Sequence, residues 1–184
     1  MRLSVFATIL VLAGAAPAAG QAPAASFPAP ISAARAADVA TPEAIVAALY
    51  ESISGDAGVA RDWDRFRALF HPSARLMPIG GPAEGPATLT PLTPDEYIAR
   101  AEPFLMRGFH ERETARRLER FGHMAHVFST YDSRRAAADP QPFARGINSI
   151  QLFHDGTRWW VVSVYWQGET PTLPIPADYL PPAG

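Results

Sequence analysis

Four long segments with strand-type sequence follow one another after Gly108, and this succession constrains the fold more than any other feature. The segments cover residues 109–121, 124–134, 142–154 and 158–167. The second and fourth are rich in β-branched and aromatic residues, which favour strands. Long consecutive strands joined by short turns pair as an antiparallel meander, so we expect such a sheet in the second half of the chain.

Short turn sequences separate these segments. Gly122 marks the first turn, and the sequence ADP at 138–140 marks the second. Asp155 and Gly156, between the third and fourth segments, form the strongest hairpin signal in the chain, because both residue types suit tight hairpin turns. Each pair of neighbouring segments is therefore predicted to form a hairpin.

Three helices are predicted ahead of these strands, and each has a recognisable N-terminus. Thr41 precedes Pro42 at the start of the first helix, and Asp62 can cap the second. The third begins with a capping box over residues 93–96. The apolar residues of each helix fall on one face, which predicts that all three pack against a common core.

A short strand over residues 75–79 and a loop over residues 80–92 are predicted between the second and third helices. Helices that precede an antiparallel sheet give an α+β domain. We therefore predict three N-terminal helices packed on a strongly curved antiparallel sheet, which together form a cone-shaped α+β barrel. Long strands twist and bend, so a sheet of this kind with helices on one side can enclose a cavity.

The ends of the chain differ in composition from the predicted domain, residues 41–170. Residues 1–20 combine a positive start, a short apolar run and small residues, as cleavable signal peptides do; a buried N-terminal helix is the alternative. Residues 21–40 are rich in Ala and Pro, which predicts a flexible linker. The Pro-rich tail, residues 171–184, cannot form regular structure, but its apolar side chains predict that it docks on the domain surface.

Cleavage near Gly20 and Gln21 predicts a periplasmic or secreted protein. No later apolar run reaches the ~20 residues of a membrane helix, so we expect no membrane insertion after cleavage. The chain has no cysteine and therefore no disulfide. Its formal net charge of −2 argues against a nucleic-acid partner, because nucleic-acid binding usually needs a basic excess.

Motifs for cofactors and metals are weak. The sequence has no phosphate loop, dinucleotide fingerprint or Gly-x-Ser-x-Gly motif, so no cofactor is predicted. His123 and His126 resemble a ligand pair, but strand residues three apart face opposite ways. His110 and Glu111 begin like the zinc-protease helix motif, but they lie in strand sequence. We therefore predict no metal site.

Three phrases, LFHPSARL at 69–76, FGHMAHVFSTYDSR at 121–134 and RGINSIQLFHDGTRWWVVSVYWQ at 145–167, resemble the nuclear-transport-factor-two-like superfamily. This superfamily includes SnoaL-like polyketide cyclases and ketosteroid isomerases. The resemblance covers residues 41–170 and implies helices packed against a curved sheet. It also implies a homodimer through the outer face of the sheet.

The resemblance does not imply one activity, because this fold hosts enzymes, carriers and structural modules. Ketosteroid-isomerase-type members use a carboxylate base with an oxyanion hole of Tyr and a protonated Asp. Scytalone-dehydratase-like members use a His–Asp pair with tyrosines. Neither full set can be mapped onto this chain, so no catalytic residue is assigned.

The clearest ligand-binding candidates lie on the third long strand. Asn148 is the only Asn in the chain and interrupts an apolar strand, where Asn is disfavoured. Arg145 and Gln151 share one face of this strand, and Asn148 lies on the other. A buried polar side chain needs a hydrogen bond or a wet cavity, so all three are candidates. Alternatively, Arg145 and Gln151 pair on the outer face with carboxylates such as Glu111 or Glu113.

Tyr131, Trp166 and Glu111 complete the predicted ligand-binding set. Tyr131 adjoins Asp132, but neighbours on a strand face opposite ways, so these two side chains cannot act together. Trp166 belongs to an aromatic-rich strand that can line a pocket or fill the core. Glu111 opens a charged run over residues 111–120 that also fits a solvated edge or face of the sheet.

We therefore expect an exported protein that binds a small organic molecule in a mostly apolar pocket. The first alternative is a lyase or isomerase that uses general acid–base chemistry. The second is a structural or interaction module whose cavity is filled by its own side chains. An enclosed cavity lined by a His, Asp or Glu with a raised pKa favours the enzyme, whereas a cavity with aromatic walls and one or two amides favours binding. The absence of a cavity large enough for a ligand would contradict both.

Overall fold

The computed structural model describes residues 33–81 and 85–181, which form three helices and a six-stranded sheet. The predicted signal peptide and residues 21–32 of the predicted linker lie outside the described residues. The helices are α1 (Pro42–Ile53), α2 (Trp63–Leu69) and α3 (Pro94–Leu105).

Each helix begins at the capping residue that the sequence indicates. Thr41 and Asp62 each accept a hydrogen bond from a backbone N–H three residues further on. Thr93 and Glu96 form a complete capping box at α3. These side chains satisfy N–H groups that have no partner within the first turn, and so they fix where the helices start.

The sheet has the order β2-β1-β6-β5-β4-β3, and its last four strands in sequence form the predicted antiparallel meander. The strands are β1 (Phe70–Gly80), β2 (Thr88–Leu89), β3 (His110–Phe121), β4 (Met124–Arg134), β5 (Ala144–His154) and β6 (Trp159–Gly168). Together with the three preceding helices, this sheet confirms the α+β class.

β1 differs from its prediction in length and direction. It covers eleven residues from Phe70, directly after α2, rather than residues 75–79 alone. The sequence alone predicts Phe70 as an inward-facing residue of the second helix, because its spacing from Phe66 and Leu69 fits a helix, but Phe70 is the first residue of β1. β1 pairs in parallel with β6, so the sheet is mixed, and it curves without closing.

The hydrophobic core lies between the helices and one face of the sheet, called the inner face here. α1 packs against β3 and β6, and α3 packs against β1. The most deeply buried apolar residues come from both layers: Ile45, Val46, Phe66, Leu69, Val127, Ile150 and Val161. Alternate strand residues point to the opposite, outer face.

A β-bulge in β3 changes which residues face inward. Glu113 pairs with Tyr131, but the next paired residue of β3 is Ala115, so Thr114 is the extra residue. An extra residue shifts the alternation of the strand by one position. Glu113 and Arg116 consequently share the inner face, although their spacing would place them on opposite faces of a regular strand.

Both ends of the predicted domain extend further than residues 41–170. A short 3-10 turn, Ala36–Val39, packs on α1 within the stretch that was predicted as linker. Its Asp38 accepts two hydrogen bonds from Arg65 of α2. At the other end the described part of the tail docks on the outer face, where the Tyr179 ring contacts Phe128 and its carbonyl accepts from Thr130.

None of the helices in the two described ranges is long and apolar enough to cross a membrane.

Candidate functional site

A cavity of about 320 Å³ lies between the three helices and the inner face of the sheet. Its volume is within the ~300–1,000 Å³ that small-molecule sites occupy. Most of its wall is aliphatic or aromatic, and the apolar lining consists of Leu49, Ile53, Phe66, Leu76, Ala101, Phe104, Leu105, Phe109, Phe143, Ala144, Val164 and Trp166. Such a wall favours an apolar molecule over a polar one.

Six polar side chains interrupt this apolar wall: Tyr50, Tyr97, Glu111, Tyr131, Ser133 and Asn148. The helices α1 and α3 supply the first two, and the neighbouring strands β3, β4 and β5 supply the other four. Glu111 pairs with Ser133, and Tyr131 pairs with Gly146 two residues before Asn148. The cross-strand register therefore places these strand-borne groups near one another on the inner face.

Glu111 is the ionisable carboxyl of the cavity. Burial raises its pKa from 4.5 to about 7, because a charged carboxylate loses its hydration there, and the negative charge of Asp132 adds to the rise. Hydrogen bonds from Ser133 and Asn148 oppose the shift. The Ser133 hydroxyl donates to Glu111 Oε2 at 2.8 Å. At neutral pH this carboxyl can therefore both accept and donate a proton.

A chain of hydrogen bonds leads from Asn148 to a second carboxylate, Glu113. Asn148 Nδ2 donates to the Tyr50 hydroxyl at 3.0 Å, and that hydroxyl lies 2.6 Å from Ser129 Oγ. Ser129 Oγ donates to Glu113 Oε1 at 2.7 Å, and Arg116 forms an ion pair with Glu113. Since Ser129 uses its proton for Glu113, the Tyr50 hydroxyl must donate to Ser129. The Asn148 amide is thereby fixed with its N–H group towards Tyr50.

The hydroxyl groups of Tyr97 and Tyr131 have no hydrogen-bond partner among the described residues. Both are polar members of the cavity wall. Burial raises the pKa of each, and the negative charge of Glu111 raises it further, so both stay protonated donors. A Cβ at Gly146 would lie 2.5 Å from the Tyr131 hydroxyl, so only Gly leaves room for this ring.

Four of the six residues predicted for the site line this cavity: Glu111, Tyr131, Asn148 and Trp166. Arg145 and Gln151 belong to the opposite alternation of β5, as the sequence predicts, and do not line it. Arg145 pairs on the outer face with a carboxylate, as the alternative expected, but its partner is Glu169 at 3.2 Å rather than Glu111 or Glu113.

Sequence reasoning missed several wall residues. Tyr50 and Tyr97 fall within the apolar stripes of their helices, so their hydroxyl groups gave no separate signal. Ser133 could have been found, because it has the same alternation as Tyr131 on one strand. Phe143 lies in the turn before β5, where no periodic pattern indicates its direction.

No group of three His, Cys, Asp or Glu side chains is arranged to hold a metal ion within residues 33–81 and 85–181. His123 Nδ1 donates a hydrogen bond to the His154 carbonyl at 2.8 Å, whereas His126 Nε2 lies 3.0 Å from Ser149 Oγ. The two rings thus have separate partners, and the cavity wall contains neither of them.

Comparison with known proteins gives matches in structure but not in sequence. No protein-family model matches the chain, and no curated protein matches it. A candidate dehydratase of the nuclear-transport-factor-two-like family from Streptomyces avermitilis superposes with a TM-score of 0.51 at 13% identity, covering 72% of this chain and 96% of that chain. This chain has the nuclear-transport-factor-two-like fold.

Two further structures are similar to the same extent. A candidate calcium/calmodulin-dependent protein kinase type II association domain from Thiobacillus denitrificans gives a TM-score of 0.54 at 15% identity, covering 71% of this chain and 96% of that chain. A Nostoc punctiforme protein of unknown function, with a cystatin-like fold, gives a TM-score of 0.52 at 14% identity, covering 71% of this chain and 89% of that chain. At such identities, the similarity of these two structures to this chain concerns the fold alone.

Proposed function

We propose that the protein binds a small, largely apolar organic molecule in the cavity. The observation that carries this proposal is an aromatic and aliphatic wall interrupted on one side by a carboxyl, an amide and tyrosine hydroxyls. Apolar walls with a few placed polar groups are typical of small-molecule sites. An interaction module whose cavity is filled by its own side chains fits less well, because about 320 Å³ stays open.

The test is native mass spectrometry of the protein purified from its own host. We expect a small organic molecule to co-purify with the protein. Ala101→Phe adds a ring to the cavity wall and should abolish the adduct, whereas Ala138→Phe adds the same ring at an exposed turn and should retain it. Absence of an adduct, together with no thermal shift against a panel of lipids and polyketides, would contradict the proposal.

A second candidate function is acid–base catalysis, as in a lyase or isomerase. It is supported by Glu111, whose pKa of about 7 lies in the range for proton transfer at neutral pH. The free hydroxyl groups of Tyr97 and Tyr131 could donate hydrogen bonds to a substrate oxygen on which negative charge develops. In this candidate function Glu111 removes a proton from the bound molecule and returns it at the same or another atom.

Hydrogen exchange in the ligand tests this second function separately from binding. The co-purified molecule is incubated with protein in D2O, and deuterium incorporation is followed by mass spectrometry. Glu111→Gln should abolish incorporation while the ligand still binds, because Gln keeps an acceptor for Ser133 but cannot take a proton. Equal incorporation by the variant would contradict a catalytic role for Glu111.

Export and dimer formation stay proposals. Residues 1–20 support export to the periplasm or the exterior, and a measured mass equal to that of a chain beginning at Gln21 would support it.

The homodimer through the outer face is supported by exposed Met124, Phe153 and Tyr165 on that face. A monomeric mass by light scattering at micromolar concentration would contradict the dimer.

A further inference from the structure

Three phenylalanines that line the cavity also form its solvent end. The rings of Phe104, Phe109 and Phe143 contact one another, with centroids 5.8 to 6.2 Å apart. Phe143 is 45% exposed, so the cavity reaches the surface beside its ring. These three rings are called the aromatic mouth below. A ligand with an apolar body that fills the cavity would leave its other end at this mouth.

Two arginines lie against the aromatic mouth. The Arg135 guanidinium sits 4.4 Å from the ring centroid of Phe104 and 4.2 Å from that of Phe143. The Arg107 guanidinium sits 5.0 Å from the Phe104 centroid. Stacking on aromatic faces holds a guanidinium in place while its N–H edge stays available for hydrogen bonds.

Neither arginine is neutralised by a carboxylate in the described part of the chain. Within residues 33–81 and 85–181, the Arg135 guanidinium donates one hydrogen bond, to the Gly108 carbonyl at 3.3 Å. By contrast, Arg112, Arg134 and Arg145 on the outer face all pair with carboxylates. The mouth therefore carries two positive charges that are free to bind an anion.

We infer that the cavity takes an amphipathic anion, with its apolar body inside and its carboxylate or similar oxyanion at the mouth beside Arg135 and Arg107. This inference rests on the proposed ligand-binding function and adds the chemical class and orientation of the ligand. The guanidinium geometry suits planar oxyanions such as carboxylates.

The polar part of the cavity wall supports the same orientation. Its ionisable group is Glu111, and no cationic side chain is among the described residues of the wall. An anionic head buried against this wall would lose its hydration and would face the carboxyl of Glu111, and both effects oppose binding. At the mouth the head keeps part of its hydration and meets Arg135. A neutral ligand end, such as a methyl or carbonyl group, is therefore expected beside Tyr97 and Tyr131.

The experiment compares two probes of equal chain length, octanoate and 1-octanol, by isothermal titration calorimetry with the full-length chain. We expect octanoate to bind more tightly than 1-octanol. Arg135→Gln should weaken octanoate binding about fivefold, the size of a partly exposed ion pair, and leave 1-octanol unchanged. Arg100→Gln is the matched control, because Arg100 is an exposed arginine of α3 outside the mouth and should affect neither probe.

Unfolding midpoints of both variants establish that they are folded. If both probes bind the unmodified chain equally and Arg135→Gln changes neither, the anionic class is wrong while the proposed binding function stands. If neither probe binds, the cavity is not a site for small amphipathic molecules, and the result overturns the inference together with the function on which it rests. If high salt lowers the octanoate affinity of the unmodified chain as Arg135→Gln does, this result would support the ion pair at the mouth.

Discussion

The cavity wall and the outer face of this sheet are built from the same strands, but they differ in whether a cationic side chain compensates their carboxyl groups. On the outer face, Asp132 accepts hydrogen bonds from Arg112 and Arg134, so its charge is compensated. On the inner face, the hydrogen-bond donors of Glu111 are neutral groups, and its pKa rises to about 7. Removing one partner of a buried ion pair leaves an uncompensated charge, whereas a buried carboxyl without a cationic partner has a shifted pKa and is available for chemistry.

The largest expected effect comes from breaking a pair on the outer face. Asp132→Asn leaves the Arg134 guanidinium, only 10% exposed, without a counter-charge. We expect the free energy of unfolding to fall by about 3 kcal/mol, measured by urea denaturation. Glu169→Gln is the control, because its partner Arg145 is 38% exposed, and it should cost less than about 1 kcal/mol. Equal losses in the two variants would show that burial of the pair does not matter.

On the inner face, Glu111→Gln should change how stability depends on pH. The folded pKa of Glu111, about 7, lies above its ordinary value of 4.5, so between these values the folded chain holds a proton that the unfolded chain releases. Stability of the unmodified protein should therefore fall as pH rises through this window, by up to about 3 kcal/mol.

The variant lacks this titration, so its free energy of unfolding should not fall in this way. Relative to the unmodified protein, the variant should therefore become more stable as the pH rises from below 4.5 to above about 7. Asp38 has a lowered pKa because it accepts hydrogen bonds from Arg65, so its contribution is lost only at more acidic pH and does not interfere. Urea denaturation at a series of pH values measures the difference. Parallel pH profiles for the two proteins would contradict an elevated Glu111 pKa.

A smaller effect is expected from the hydrogen-bond chain behind the cavity. Tyr50→Phe keeps the buried ring but removes the hydroxyl that joins Asn148 to Ser129. We expect a loss of about 1–2 kcal/mol in the free energy of unfolding. Tyr165→Phe is the control on the outer face, since Tyr165 is 40% exposed and its hydroxyl makes no hydrogen bond within the described residues. If Tyr50→Phe loses as little stability as Tyr165→Phe, these hydrogen bonds contribute little to the free energy of unfolding.

The separation of the two faces could be predicted for β5 but not for β3. Alternation alone places Asn148 opposite in direction to Arg145, and the structure agrees. Either Glu111 or Arg112 shares the outer face with Arg145, and the register across two hairpins decides which. A shift of one residue in that register would exchange the faces of Glu111 and Arg112. The structure aligns Arg112 and Asp132 with Arg145, which leaves Glu111 inside.

Other parts of the site depend on packing that no local pattern records. The bulge at Thr114 brings Glu113 and Arg116 to one face, and its position is not marked by a Gly or Pro. Tyr50 and Tyr97 read as ordinary core residues of amphipathic helices. They become cavity residues because of where α1 and α3 rest on the sheet, which is set by contacts distant in sequence.

The smallest effect separates Arg145 from Asn148, two of the three residues of β5 in the predicted site. Arg145→Gln removes a partly exposed ion pair on the outer face, so it should cost less than about 1 kcal/mol and leave 1-octanol affinity unchanged. Asn148→Ala alters the polar side of the cavity and should weaken 1-octanol binding several-fold, because an amide and its hydrogen bond to Tyr50 are lost. Calorimetry measures both. If Arg145→Gln weakens 1-octanol binding as much as Asn148→Ala does, a side chain outside the cavity affects the ligand. The assignment of ligand binding to the inner face alone would then be wrong.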